Sequence, residues 1–407
     1  MKTSISFDDT AIAFAHKSNS ELKKAHWLFA IMAKSWLVKL GSKITPWAIK
    51  IGLPIKGLLR QTIFKQFVGG ETLEASIVEI KKLEERSVQA IMDYGVEGME
   101  GEKSYDSARD EFIRVIEFAA SQKNVPFMSV KITGMGRFSL LEKLDALMHA
   151  SANNTLIKKY NDALQQLDES ELAEWQNVVS RFQQVCDAAH NNNVGFLVDA
   201  EESWIQDPVD AVTMLMMDAY NRNTTVIYNT IQLYRHDRLA FLHQSFEAAV
   251  ERNFLLGVKL VRGAYMEKER KRAAEKKYAS PIQPSKKATD NDYNDALCFC
   301  LEHLDRVGLI VATHNEESNL LAANLIEEKN LTRNHAHVHF SQLLGMSDNI
   351  TYNLAAAGYS VSKYLPFGPI KDVVPYLMRR AQENTSVSGQ TTRELELIKK
   401  ERTRRKK

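Results

Sequence analysis

The stretch LIVATHNEESNLLAANLIEEKNLTRNHAHVHFSQ, residues 309–342, runs from a short apolar segment through a helically spaced one into a second short apolar segment. That order suits a parallel βα unit, because parallel neighbours need a crossover and a helix supplies it. The same kind of short run recurs at AIMDYGVE (90–97), VPFMSVKIT (125–133), VGFLVDAEE (194–202), TTVIYNTIQ (224–232), LLGVKLVRG (255–263) and GYSVSKYLPFG (358–368). With LIVATHN (309–315) and HAHVHFSQ (335–342) the runs number eight. Eight βα units in about 300 residues predict a closed (βα)8 barrel of the TIM type, an α/β fold. Residues 1–88 then form an N-terminal helical arm, 89–390 the barrel, and 391–407 a basic C-terminal tail. A doubly wound open sheet is the alternative, and the count of eight favours the barrel. Residues 140–189 are too long for one crossover helix and predict at least one more.

Composition sets few limits. The chain has 407 residues, 44% apolar and 26% charged, with a net charge of +2, which is ordinary for a globular protein. Three cysteines, Cys186, Cys298 and Cys300, make no disulfide framework. No secretory signal or acid-poor transit peptide is evident at the start, and the apolar run WLFAIMA (27–33) is far short of a membrane span. Between Leu22 and Gly70 there is no Asp or Glu, while nine lysines and arginines accompany Trp27, Trp36 and Trp47. Aromatic anchors among cationic stems suit an anionic lipid surface, and equally a helical arm packed on the barrel with solvated lysines. The terminal run KKERTRRKK reads as a frayed tail. Neither basic segment carries a nucleic-acid signature, so no nucleic-acid partner is expected.

Polar residues cluster where the strands end: Asp93 and Glu97, Lys131, Asp199 with Glu201, Gln232, Lys259 with Arg262, His314, Gln342 and Tyr364. In a barrel all these ends face one mouth, so they converge on one site. The helix after the eighth run adds Tyr376 and the adjacent Arg379 and Arg380, whose forks match carboxylate or phosphate. A mouth rich in lysine and arginine predicts an anionic ligand, and two subsites, one for a small carboxylate and one for a phosphate-bearing cofactor. GMGRFSL at Gly134 lacks the third glycine of a dinucleotide fingerprint, and GxxxxGK[ST], HExxH and GxSxG are absent. HAHVHF sets His335, His337 and His339 on one face of a strand by period two, which suggests a metal site, but no carboxylate stands at matching spacing, and no metal is expected. Lys131 as a Schiff-base lysine and a non-catalytic lipid-surface protein are the competing readings.

The segments VKITGMGR, LVDAEES, YNTIQLY, GVKLVRGAYMEKE, VATHNEE, HFSQLLGM and KYLPFGPIKDVVPYLMRRAQEN together resemble the proline dehydrogenase family, nearest its monofunctional, eukaryotic-type branch. The likeness covers about residues 93–387. It implies a distorted barrel, with a C-terminal helix over its mouth, that oxidises L-proline to Δ1-pyrroline-5-carboxylate with flavin adenine dinucleotide (FAD). It implies that Arg379, Arg380 and Lys131 bind the proline carboxylate. Tyr364, Tyr376, Asp199 and Tyr265 would line the ring pocket, and Glu97 would gate it by pairing with Arg379. Gln232, Lys259, Arg262, Gly263, Thr313, His314 and Glu383 would hold FAD. Family members that prefer hydroxyproline carry a smaller residue in place of Tyr364, so proline is favoured over that alternative. A membrane quinone acceptor follows from the family. It implies a cytoplasmic enzyme peripheral to the inner membrane, mitochondrial if the source is eukaryotic.

Overall fold

The computed structural model describes residues 5–34, 36–38, 56–94, 100–386 and 390–406. Its strands are β1 (Gln89–Tyr94), β2 (Phe127–Val130), β3 (Gly195–Val198), β4 (Ile227–Gln232), β5 (Leu256–Val261), β6 (Val307–Ala312), β7 (Val338–Leu343) and β8 (Val361–Phe367). They pair in chain order, all parallel, and β8 returns to β1. The closing pair runs in register from Gln89 opposite Ser362 to Tyr94 opposite Phe367. The sheet is therefore a closed barrel, not an open doubly wound one.

Every residue of β4 and β8 is buried. Strands covered by helices outside and packed side chains inside have no wet face, which is why their sequences read as continuous rather than alternating runs. Inside, Ile91, Leu197, Tyr228, Ile310 and Tyr364 form a cluster with Phe127 and Leu343. The Phe127 ring meets Tyr228 edge-on at 5.8 Å and His339 at 4.9 Å. These residues fill the barrel as a core rather than leaving a pore.

Between β2 and β3 the chain makes three helices, Phe138–Ala150, Leu156–Leu164 and Glu169–Asn191. Asp168 starts the last of them with a capping box to Glu171, and Trp175 Nε1 donates to Tyr160 OH at 2.7 Å, tying it to the middle one. The three-histidine face does not form. β7 begins at Val338, so His335 and His337 lie in the preceding turn, and His337 Nδ1 stands 2.5 Å from Leu304 O. Only His339 is on the strand, with Nε2 2.6 Å from Ser362 Oγ. The one potential metal-ligand cluster among the described residues, Asp145, His149 and Asp207, lies elsewhere, with the Arg238 guanidinium 3.7 Å from Asp207.

The arm packs on the barrel. Helix Asn19–Met32, opened by a Ser18–Glu21 capping box, buries Leu22, Ala25, Phe29 and Met32 on one face. They meet Phe64, Phe67, Val373, Leu377, Leu397 and Ile398 in a second core. The opposite face leaves Trp27 56% exposed, and Trp36 beyond the helix is 63% exposed. Trp47 and residues 39–55 around it lie outside the described residues.

The C-terminal segment is not a frayed tail. Gln390–Arg404 is a helix that buries Leu397 and Ile398. Arg405 secures its end by donating to Phe14 O and Lys17 O, both at 2.7 Å. Its basic residues disguised an adjacent buried apolar pair.

Burial pushes the His339 imidazole down to about 3 from its ordinary 6.5. Below pH 6.5 the unfolded chain takes a proton there and the folded protein does not, so stability falls as pH drops toward 3. His339→Gln should flatten the dependence of stability on pH between 6 and 4 by about 1.4 kcal/mol per pH unit. Urea unfolding midpoints across that range measure it.

Candidate active site

The strand ends open into a cavity of about 690 Å³. It is lined by Lys131, Asp199, Gln232, Lys259, Arg262, Gly263, Tyr265, Thr313, His314, Tyr364, Tyr376, Arg379 and Arg380. The structure thus gathers nearly all the residues chosen from the sequence, drawn from positions 249 apart. Glu97 lies outside the described residues. Glu383 belongs to helix Ile370–Ser386, and its side chain lies outside the description.

At one end, cations and aromatic rings meet. Lys259, from β5, is buried and forms an ion pair with Asp199 Oδ1, just past the end of β3. Tyr364 OH, from β8, donates to the other carboxylate oxygen at 2.6 Å. One carboxylate therefore fixes both an ammonium and a phenol, and the Lys259 Nζ lies 5.2 Å from the Tyr364 ring centre. The Arg380 guanidinium lies 5.3 Å from the ring centre of Tyr376, one helical turn before it. Burial raises the Tyr265 phenol well above its ordinary range, against the pull of Lys131 and Arg379.

The other end is built around Arg262. Its guanidinium donates to Asp290 at 2.8 Å, Thr313 Oγ1 at 2.7 Å and Ser318 Oγ at 3.0 Å, and lies 4.4 Å from the Tyr293 ring centre. Those bonds hold Thr313 and the start of helix Glu316–Glu328 against the cavity, where Asn315 caps the helix by accepting from Ser318 N at 2.8 Å. His314 Nδ1 is 2.9 Å from Ser347 Oγ. Burial, aided by the charges of Lys363, Arg380 and Arg262, depresses its imidazole to about 3, so it is neutral at physiological pH. Gln232 Nε2 donates to Glu201 O at 2.9 Å, while its buried amide oxygen has no hydrogen-bond partner among the described residues.

Gly263 has φ +137°, and a Cβ there would stand 2.4 Å from the Tyr234 ring. Only glycine fits that close approach beside the cavity.

Sequence reasoning missed Arg393 and Glu394, which line the cavity from the C-terminal helix. Arg393 bonds Glu316 at 2.8 Å and Asp8 at 2.7 Å, fastening that helix to the cavity wall and to the start of the described chain. The available signal was period: Glu394, Leu397, Ile398 and Glu401 recur at helical spacing and all are buried. A buried ionic cluster lies behind this wall, with Asp348 2.8 Å from Lys17 Nζ and 3.0 Å from Lys363 Nζ.

Residues 76–393 match the family model described as proline dehydrogenase. Mitochondrial proline dehydrogenase 1 of Dictyostelium discoideum is 31% identical, covering 98% of this chain and 74% of that protein. Hydroxyproline dehydrogenase of Xenopus laevis is 32% identical, covering 98% and 90%. Among solved structures, proline utilization A of Bdellovibrio bacteriovorus inactivated by N-propargylglycine superposes with a TM-score of 0.70 at 19% identity. The likeness covers 95% of this chain and 40% of that longer one, and it extends to the fold.

The Asp199–Lys259 pair gives a direct test of the wall. Asp199→Asn strands a buried ammonium and should lower stability by about 3 kcal/mol. Adding Lys259→Met should recover most of that loss, as read by thermal or urea unfolding.

Proposed function

Because the chain belongs to the proline dehydrogenase family of oxidoreductases, we propose that it oxidises L-proline to Δ1-pyrroline-5-carboxylate with FAD, as the first step of proline catabolism. The observation that carries this reading is the cavity's two-part chemistry. Lys131, Arg379, Arg380, Tyr265, Tyr364 and Tyr376 line the same cavity as residues at the ends of β5, β6 and β7, and its volume of about 690 Å³ exceeds what a small amino acid needs. A small cyclic amino acid suits the first part and leaves room for a large cofactor in the second.

FAD fits the residues present. The unpartnered Gln232 amide oxygen offers a buried acceptor, Lys259 and Arg262 supply positive charge, and Gly263 permits close backbone approach. Gln232, Lys259, Arg262, Gly263, Thr313, His314 and Glu383 would hold the cofactor, which when bound supplies the acceptor for the hydride that leaves proline.

The protein's own share of the reaction is binding and orientation. Two adjacent guanidiniums and an ammonium fix the substrate carboxylate, and so fix one end of a rigid five-membered ring. Tyr364 and Tyr376 wall the ring and exclude water. Asp199, engaged by both Lys259 and Tyr364, serves to hold those two groups in place. Glu97 is proposed as the gate that pairs with Arg379. With Tyr364 held in place by Asp199, a hydroxyl on the substrate ring would be crowded, which favours proline over hydroxyproline.

The electrons are proposed to pass to a membrane quinone. No described helix is long and apolar enough to cross a membrane. Exposed Trp27 and Trp36, with Lys23, Lys24 and Lys34, suit peripheral attachment to an anionic inner-membrane surface, mitochondrial in a eukaryotic source.

Purified protein should be yellow, and anaerobic L-proline should bleach its visible absorption. Protein that is colourless and takes up no added FAD would sink the reading. Arg379→Gln and Arg380→Gln should each raise the KM for proline by about tenfold to a hundredfold, the loss of one charge-assisted bond. Steady-state kinetics decide it, and wild-type KM values in both would refute the clamp. Co-sedimentation with anionic vesicles should weaken severalfold in Trp27→Ala.

A further inference from the structure

Ser347 occupies the N-cap of helix Asp348–Ala356, where a serine ordinarily turns its hydroxyl onto the helix's own first N–H groups. Here it makes no such bond. Its backbone is left-handed, with φ +51° and ψ +43°, a conformation a non-glycine residue keeps only when its surroundings hold it there. Its N–H donates to Glu394 Oε1, and its hydroxyl lies 2.9 Å from His314 Nδ1. Three residues remote in sequence thus form one chain of contacts from the C-terminal helix to the cavity wall.

We propose that Glu394 is a positioning residue: by accepting the Ser347 N–H it fixes the hydroxyl that holds His314 Nδ1, and so fixes which imidazole nitrogen is left for a ligand. A buried neutral imidazole has two tautomers, and a hydroxyl, which can donate or accept, serves only one of them when it is held in one orientation, which sets the role of the other ring nitrogen. With Nδ1 committed to Ser347, Nε2 remains the nitrogen available to the cavity.

Glu394 is suited to the task. It is 4% exposed, on a helix anchored by Leu397, Ile398 and the Arg393 bonds to Glu316 and Asp8. Burial, with Asp348 adding to it and the Ser347 N–H bond, Lys363 and Lys17 opposing, pushes its carboxyl up to about 7. A substantial share is therefore neutral near pH 7, and glutamine is its near-isosteric replacement. The family match ends at Arg393, one residue short of it.

That His314 serves a flavin rests on the function proposed above; that Glu394 positions it does not. The test labels histidine with 15N and reads the long-range imidazole correlations of His314, identified by their absence in His314→Gln. The wild type should show one neutral tautomer from pH 5 to 8. Glu394→Ala and Ser347→Ala should both mix the tautomers and weaken FAD binding by about tenfold or more, read by flavin fluorescence. Glu394→Gln, which keeps an acceptor for the Ser347 N–H, should keep one tautomer and bind FAD within about threefold of wild type.

An unchanged His314 in Glu394→Ala overturns the proposal, as does a wild-type His314 in Ser347→Ala. If Glu394→Ala does not fold, Glu394→Asp, whose carboxylate is one methylene short of the Ser347 N–H, takes its place, and a single unchanged tautomer there overturns the proposal. A wild-type protein with the single tautomer but no affinity for FAD sinks the flavin reading and leaves the positioning role standing.

Discussion

The return of β8 to β1 is the constraint on which the rest of the molecule depends. Six residues of β1 pair in register with six of β8, and closure leaves the sheet without a free edge. It also points every strand's C-terminal end at one mouth. Lys131, Asp199, Gln232, Lys259, His314 and Tyr364 meet there for that reason alone. None is a near neighbour of the next in sequence.

Closure positions the residues, and buried electrostatics orient them. Asp199 is held by Lys259 and in turn holds Tyr364, so three strands contribute to one fixed group. Arg262 spends its donors on Asp290, Thr313 and Ser318, acting as a brace for the wall as well as a cation beside the cavity. Around Asp348, burial favours protonation, yet the Lys17 and Lys363 ammoniums hold the carboxyl well below its ordinary range. That cluster joins the arm, the helix after β7, and β8. Removing one member would leave an uncompensated charge in the interior, which is far costlier than never having buried the set.

How far the site was legible depended on whether a residue's signal was local. Arg379 and Arg380 stand out because two forks adjoin on one helix, whereas Tyr364, read from the sequence as a strand end, is the middle residue of β8. Their convergence followed from counting strands, and the residues sent to the mouth line the cavity wherever their side chains are described, except Glu201, whose carboxylate accepts from Thr133 Oγ1 at 2.8 Å. The histidine face failed because period two holds only within a strand, and β7 starts at Val338. The C-terminal helix was misread because its charges dominate its composition, while what seats it is Leu397 and Ile398. The bond between Glu394 and Ser347 was invisible for a deeper reason. Their bond links positions 47 apart, and the serine's role depends on a left-handed backbone that no local pattern specifies.

The sequence by itself determined the eight strands, their order, the extra helices after β2 and the cationic character of the mouth. Periodicity and strand-end polarity are local quantities, set by residues close along the chain, so they can be read without coordinates. Only the tertiary structure decided which face the arm buries, that the C-terminal helix walls the cavity, and which group each charged side chain holds. Those are contacts between distant segments. Their energies arise from desolvation and hydrogen bonding in an interior that exists only once the barrel has closed.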